Sequence, residues 1–444
     1  MRGEPTPGPD VAASPPEEPR LLGAAFASLL VKGCAAAAGF VANVLIARAL
    51  GAAGAGTYFL AITCVTAFAV VGRSGTDVAA LRAISGHLRR GWNCGADAVE
   101  SWAWGRLFRW ALLAWATLAA FAWFLAPSVF GEPDLGLPLL VASSAVVPIG
   151  VLSLLAEVLK ARGRVTWGMA VQSLLVPLGM VAGMALLLLW SGGGDPALAA
   201  GAYLVTTSST AIVGWMLLRR TRTALASAPN ETLSAAALTD LRSSSTAFMV
   251  IAMQNLVVSL TDTVMLGILA DATAVGLYGV ALRVTSLGNL VLAAINGVVG
   301  PRFAGLAATG DHDALKRLAR TATRAMAGSS LVMFAALITF REPILMLFGP
   351  EFVAAQGAFV VLSLGQLVVL GTGPVAYLLM MSGHRRFHRN GLTLAALANV
   401  VLNVVLIPPF GILGAAIATA ASLGVKNLAT LAYVRLRLGF WVLP

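Results

Sequence analysis

Charge is what this 444-residue sequence has least of: Asp, Glu, Lys and Arg together make up 11% of it. A soluble domain carries roughly 25%, so most of the surface must face something other than water. Lysine is nearly missing, with 4 residues against 26 arginines among the 30 cations. Cysteine is confined to Cys34, Cys64 and Cys94. Two of these fall in apolar stretches and one in a loop, which excludes a disulfide framework. Residues 1–20 lack the basic-then-apolar order of a leader; they are Pro-rich with four acids and read as a disordered tail. The longest connection, 220–243, is rich in Ser, Thr and Ala. It carries no phosphate-cradling glycine motif, no Cys/His metal spacing and no nucleophile elbow. No metal, no cofactor and no enzymatic activity are expected, and ATP hydrolysis within this chain is excluded.

What is present is apolar sequence: 58% of the residues, with a mean hydropathy of +0.86. A membrane span needs about 20 predominantly apolar residues, and twelve stretches qualify. They lie near 21–47, 56–84, 102–126, 137–158, 166–190, 197–218, 244–269, 274–301, 318–340, 354–382, 387–408 and 412–434. Backbone polar groups must be paired in lipid and these runs are too long for barrel strands, so an all-α polytopic membrane protein is expected. Loop charge tests the count. Every second connection, together with the two termini, is basic, and these positions hold 24 of the 30 cations. The alternate connections carry Glu132, Asp134, Asp195, Asp271, Glu342 and Glu351, against Arg48 and Arg341 alone. By the positive-inside rule both termini are expected in the cytoplasm. The net charge of +11 follows from this loop bias and makes no case for nucleic-acid binding.

The chain also repeats itself. A shift of 220 residues lays Gly56-Thr57-Tyr58 on Gly276-Leu277-Tyr278, and the basic turn at Gly163 on the one at Gly383, with Leu159 over Leu379. The expected organisation is a tail (1–20), a six-helix half (21–219), a linker (220–243), a second six-helix half (244–437) and a short tail (438–444). Six spans per half give both halves one orientation, the parallel-repeat plan of transporters that carry substrate between two rocking bundles.

Charges inside spans cost about 2.5–3.5 kcal/mol each at mid-bilayer, so they mark wet cavities or paired sites. Counted from the helix ends, Lys32, Arg283 and Lys426 lie near mid-depth, with Arg73 deeper toward the basic side. Together they suggest a cationic cavity fit for a phosphate or pyrophosphate group. Asp77, four residues after Arg73, is most simply its neutralising partner. Glu157 with Lys160 either caps the membrane edge or couples transport. Asp262 is left open between taking a coupling proton, pairing with an interior arginine and bonding backbone. Asn43, Gln254, Asn255, Asn289, Asn296 and Gln366 are polar cavity candidates suited to sugar hydroxyls, or else interhelical hydrogen-bonding residues. Asn399 and Asn403 are assigned to packing.

Several segments carry a family resemblance: NVLIARALGAAGAGTYFLA (43–61), GTDVAALR (75–82), TDTVMLGILADATAVGLYGVALRV (261–284), Pro301 with Phe303, and REPILMLFGPEFVAAQGAFVVLSL (341–364). With these the chain resembles the multidrug/oligosaccharidyl-lipid/polysaccharide (MOP) flippase superfamily, in its polysaccharide-transport branch, over nearly all of 21–437. The resemblance implies a V-shaped central cavity, alternating access, and coupling to a proton or sodium gradient. It implies an undecaprenyl-pyrophosphate-linked oligosaccharide or exopolysaccharide precursor as substrate, in a bacterial cytoplasmic membrane. The lipid-linked oligosaccharide and the bilayer are then partners, with a glycan polymerase or other export machinery alongside. Asp262, Tyr278 and Arg283 match the family pattern. An ion-coupled exporter of cationic drugs and a membrane glycan polymerase or ligase are the competing readings. The first calls for mid-depth acids and the second for a large outer loop.

Overall fold

The computed structural model describes residues 18–191, 194–222, 233–309, 311–381, 385–438 and 440–442. Residues 1–17 of the expected tail, 223–232 of the expected linker, the Gly383 turn and residues 439 and 443–444 lie outside them. The chain runs as α1 (Glu18–Arg73), α2 (Thr76–Arg89), α3 (Asn93–Phe124), α4 (Ala126–Phe130), α5 (Gly136–Ser143), α6 (Val146–Ala161), α7 (Val165–Met169), a π-helical turn (Ala170–Leu174), α8 (Leu175–Ser191) and α9 (Pro196–Arg222). It continues as α10 (Ala235–Leu269), α11 (Ala272–Thr285), α12 (Gly288–Thr309), α13 (His312–Thr339), α14 (Arg341–Met346), α15 (Gln356–Gly371), α16 (Val375–Met381) and α17 (Arg385–Leu438). Among the described residues there is no strand.

Among the described residues, ten helical segments are long and apolar enough to cross a membrane. Two of them, Leu30–Arg73 and Asn390–Arg437, have 44 and 48 residues. At 1.5 Å per residue these would measure about 66 and 72 Å, twice the roughly 30 Å hydrocarbon core. Each is interrupted by a left-handed glycine: Gly51 at φ 66 in α1, and Gly411 at φ 55 in α17 just after Pro408 and Pro409. With both divided, the ten segments are compatible with twelve crossings.

Four expected spans are discontinuous within the described residues. The 56–84 stretch breaks at Ser74 and Gly75, both at positive φ. The 354–382 stretch breaks at Gly373, also at positive φ, followed by Pro374, which has no N–H to donate. The 137–158 and 274–301 stretches break at Ser144–Ala145 and Ser286–Leu287. Window-averaged hydropathy runs through these breaks because apolar residues resume beyond each of them.

The core is single at one end and divided at the other. One cluster draws Ala47, Phe59 and Leu118 together with Tyr278, Phe348 and Phe359, from early and late parts of the chain alike. It lies at the end where the acidic connections emerge. At the basic end the buried residues separate, with Ile84, Leu107, Leu155 and Leu218 in one cluster and Phe303, Leu315, Leu379 and Val434 in another. The bundle is therefore joined at the acidic end and splayed toward the basic end.

The join is made by small residues. A Cβ added at Gly56 would lie 1.6 Å from the Ala272 carbonyl oxygen, and one at Gly276 would lie 2.0 Å from the Ala52 carbonyl oxygen. Ala52 with Ala272, and Gly56 with Gly276, are related by the 220-residue shift. Positions equivalent in the repeat touch each other reciprocally, which places α1 and α11 on the axis relating them. Replacing either glycine by valine forces the two backbones apart. The purified protein should then melt earlier, its loss of stability exceeding the roughly 1–3 kcal/mol of an ordinary overpacked core. A thermal midpoint unchanged in both variants would contradict this contact.

Candidate functional site

A cavity of about 270 Å³ opens between the first part of α1 and α11–α12, lined by Gly39, Phe40, Asn43, Arg283, Asn289 and Phe348, among others. Three residues singled out from the sequence, Asn43, Arg283 and Asn289, thus share one cavity. Arg283 lies flat on the Phe59 ring, 3.5 Å from its centroid, and donates to the Gly279 carbonyl oxygen at 3.0 Å. This packing needs a glycine at 279, where a Cβ would fall 2.7 Å from Phe59 and 2.9 Å from the guanidinium. Arg283 makes no ion pair among the described residues. The ring face offsets part of its charge, and the rest of its donor fork is free for a ligand of the cavity. Asn43 bonds back to the Gly39 carbonyl oxygen of its own helix at 2.6 Å. Asn289 is exposed at the cavity rim.

Asp262 sits elsewhere and is handled differently. Only 3% exposed, it accepts hydrogen bonds from Tyr278 at 2.7 Å, Asn399 at 2.9 Å, Asn403 at 2.7 Å and Thr419. Four neutral donors from α10's neighbours α11 and α17 surround one carboxylate. An ionised carboxylate buried without such donors would be prohibitive. Pairing with an interior arginine is thereby excluded for this arrangement, and Asn399 and Asn403 serve Asp262 as well as helix packing. The Asn403 Oδ1 is buried without a hydrogen-bond partner, leaving an acceptor beside the carboxylate. Among the described residues no three His, Cys, Asp or Glu side chains converge as a metal site.

The first part of the chain carries a third polar group. Arg73 reaches Asp77 at 3.3 Å and the Ser153 hydroxyl at 3.1 Å. One turn further along α6, Glu157 accepts from Lys160 at 2.8 Å. Gln172 joins them from the π-helical turn, its carbonyl oxygen 2.6 Å from the Lys160 ammonium, a partner that sequence reasoning missed. Also missed was Arg162, which the sequence marks only as a loop cation. It bridges Asp97 at 2.5 Å and fully buried Glu100 at 2.7 Å. Burial, the largest single influence, works against its charge, but the bonds to Asp97 and Glu100 outweigh it and raise its pKa.

The other candidate residues are dispersed. Lys426 borders a separate apolar groove between the two arms of α17, with Leu394, Leu402 and Val425. Lys32 is exposed on α1. Gln254 bonds Thr393 at 3.3 Å and Asn255 its own helix at Ile251. The Asn296 Oδ1 is buried without a partner, and Gln366 is half-buried on α15. Two ties cross the bundle at its joined end. Arg48 donates to the Leu347 carbonyl oxygen at 2.7 Å, and Glu132 accepts from the Ala272 N–H at 2.8 Å, capping α11.

Removing Arg162 takes the cation away from two carboxylates, one of them fully buried, so Arg162→Leu should destabilise the protein by about 3–5 kcal/mol, with Arg162→Lys intermediate. Tyr278→Phe removes one of four bonds to a charged group and should cost about 1.5–3 kcal/mol. Both are read from thermal unfolding of the purified protein, and equal midpoints for Arg162→Leu and the parent would refute the buried clamp.

Known proteins carry the same pattern. The family described as "Polysaccharide biosynthesis protein" matches residues 21–307, and the MatE family matches 246–377. The chain is 31% identical to the "Probable flippase AglR" of Haloferax volcanii over 175 residues, which is 38% of this chain and 36% of that one. The match thus spans little more than a third of that relative. Solved structures share the fold across nearly the whole chain. A MATE family transporter of the MOP superfamily in an inward-facing conformation has a TM-score of 0.73 at 13% identity, covering 94% of this chain and 98% of that one. The lipid II flippase MurJ in an inward closed conformation has a TM-score of 0.71 at 13% identity, covering 91% and 87%. The matched family extends over well more than half of the sequence, and the chain belongs to the polysaccharide biosynthesis protein family of the MOP superfamily.

Proposed function

We propose that this protein is a flippase that moves an undecaprenyl-pyrophosphate-linked oligosaccharide or exopolysaccharide precursor across a bacterial cytoplasmic membrane by alternating access. The observation that carries the reading is the unpaired Arg283 guanidinium, held on Phe59 and opening into a cavity with Asn43 and Asn289. A guanidinium fork suits pyrophosphate oxygens, and the two amides suit the first sugar hydroxyls. The flippase names of AglR and MurJ support it. In this reading residues 21–219 and 244–437 are the two rocking halves, both termini are cytoplasmic, and the basic end is the cytoplasmic end. The splayed, basic-end opening then admits substrate from the inner leaflet, while the Gly56–Gly276 contact and the ties at Arg48 and Glu132 seal the outer side. A glycan polymerase or other export machinery would take the product onward.

Asp262 is the coupling acid in this scheme. Its four partners are neutral, and the hydroxyl of Thr419 and the amides of Asn399 and Asn403 can turn their oxygens toward a bound cation, or release the carboxylate to a proton. Asn403 already has an idle acceptor there. Export of cationic drugs fits less well, because the described cavity presents an arginine and the Asp262 carboxylate is enclosed by donors.

Arg283→Ala should abolish surface glycan in cells while the folded protein persists in the membrane, and the lipid-linked saccharide should accumulate on the inner leaflet. Arg283→Lys keeps the charge without the fork and should retain partial export. Normal surface glycan from well-folded Arg283→Ala protein would overturn the cavity assignment.

A further inference from the structure

A cationic cluster at the basic end is used neither by the cavity nor by the Asp262 network. Leu107 of α3 and Leu241 of α10 are buried in the same hydrophobic cluster, so an apolar contact draws the start of α10 onto the first half of the chain. The residues beside those leucines are arginines. Arg106 and Arg109 flank Leu107, Arg242 follows Leu241, and Arg106 lies within electrostatic reach of both Arg109 and Arg242. The charges acting on Arg106 are both positive. None of the three makes an ion pair among the described residues, and the Arg106 Nε is buried without a partner. The nearest acid on α10, Asp240, is turned away from Arg242 around the helix. It lines a separate pocket of about 230 Å³ with Arg82, His87 and Arg90.

Like charges pressed together by apolar packing repel, and the arrangement is complete only with an anion between them. The depth says which anion is at hand. The Arg106 guanidinium stands 5.9 Å from the Trp102 ring and 6.0 Å from the Trp110 ring. Tryptophans of this kind mark the headgroup level of a bilayer. Basic clusters between helices at that level recognise anionic headgroups.

We propose that Arg106, Arg109 and Arg242 form a site for the phosphodiester of an anionic phospholipid, seated at the seam between α3 and α10. A zwitterionic lipid brings its own cation and leaves the triad uncompensated, so the site selects for net negative headgroups. Because two of the arginines belong to α3 and the third to α10, the bound lipid bridges elements from the two parts of the chain. It therefore favours the arrangement seen here, in which the start of α10 lies against the first half while the two basic-end cores stay apart. By linkage, a ligand bound more tightly in one arrangement raises that arrangement's population. The anionic lipid content of the membrane thus sets how readily the bundle opens and closes.

The test uses the purified full chain in neutral detergent, titrated with phosphatidylglycerol, phosphatidylcholine or inorganic phosphate, and read by lipid adducts in native mass spectrometry and by thermal midpoint. Phosphatidylglycerol should form a retained adduct and raise the midpoint, while phosphatidylcholine and inorganic phosphate should do neither. The double variant Arg106→Gln, Arg242→Gln should weaken phosphatidylglycerol binding tenfold or more. The variant Arg317→Gln, Arg324→Gln removes the same charge from exposed positions on α13 and should bind as the parent does. If the double variant does not fold, exposed Arg109→Gln alone should still weaken binding several-fold. Undiminished binding by these α3 and α10 variants, equal loss in the α13 variant, or equal binding of phosphatidylcholine would overturn the proposal. So would inorganic phosphate alone reproducing the midpoint shift, since the site would then take a free anion.

Discussion

The backbone approach of α1 to α11 is the constraint on which the rest of the structure depends. At Gly56 against Ala272, and at Gly276 against Ala52, the helices come so close that not even a Cβ fits on either glycine. In a bilayer, where apolar surfaces gain little by leaving lipid, such close contact between small residues is what holds helices together. Because equivalent positions of the repeat meet there, one short patch fixes the axis of the bundle. Everything beyond it diverges: a shared core at the joined end becomes two separate cores at the basic end.

Buried charges follow a division that fits this frame. The carboxylate Asp262 is closed in by four neutral donors and has no cation beside it, whereas Arg283 is backed by an aromatic ring and left open to a cavity. Each solves the same desolvation problem by a different means. The carboxylate is satisfied by four internal donors, while the guanidinium donates to one backbone carbonyl and rests on one ring. Tyr278 and Arg283 sit on one helix, α11, which also carries Gly276 and Gly279. The Asp262 hydrogen-bond network, the Arg283 cavity and the joint between bundles therefore share a single helix. A change at Asp262 has a short mechanical route to the cavity.

Much of this was legible in the sequence, because hydropathy and loop charge report directly on what a bilayer demands. The all-helical, apolar architecture and the residues Asn43, Arg283 and Asn289 that line one cavity all came from one-dimensional pattern. The Gly-x-Tyr landmark that revealed the repeat is itself the contact between its copies. What escaped was decided by partners distant in sequence. Glu132 finds the Ala272 N–H 140 residues away, Gln172 reaches Lys160 only because a π-helical turn swings it round, and Arg162 became a buried clamp through Asp97 and Glu100. Depth alone also misled the grouping of cations. Lys426 shares Arg283's level but borders a different groove, since depth along a helix says nothing of which face a residue occupies.

The central claim is that the bundle closes at one end while it opens at the other, about the Gly56–Gly276 joint. Spin-label distances test it most directly, with one pair at Ala53 and Thr273 beside the joint and another at Arg82 and Arg302 on the basic end; all four positions are exposed and each pair is related by the 220-residue shift. In proteoliposomes supplied with lipid-linked oligosaccharide and an ion gradient, a long-distance population should grow for Ala53–Thr273 as a short one grows for Arg82–Arg302. A single, short Ala53–Thr273 distance persisting while substrate is being moved would contradict it.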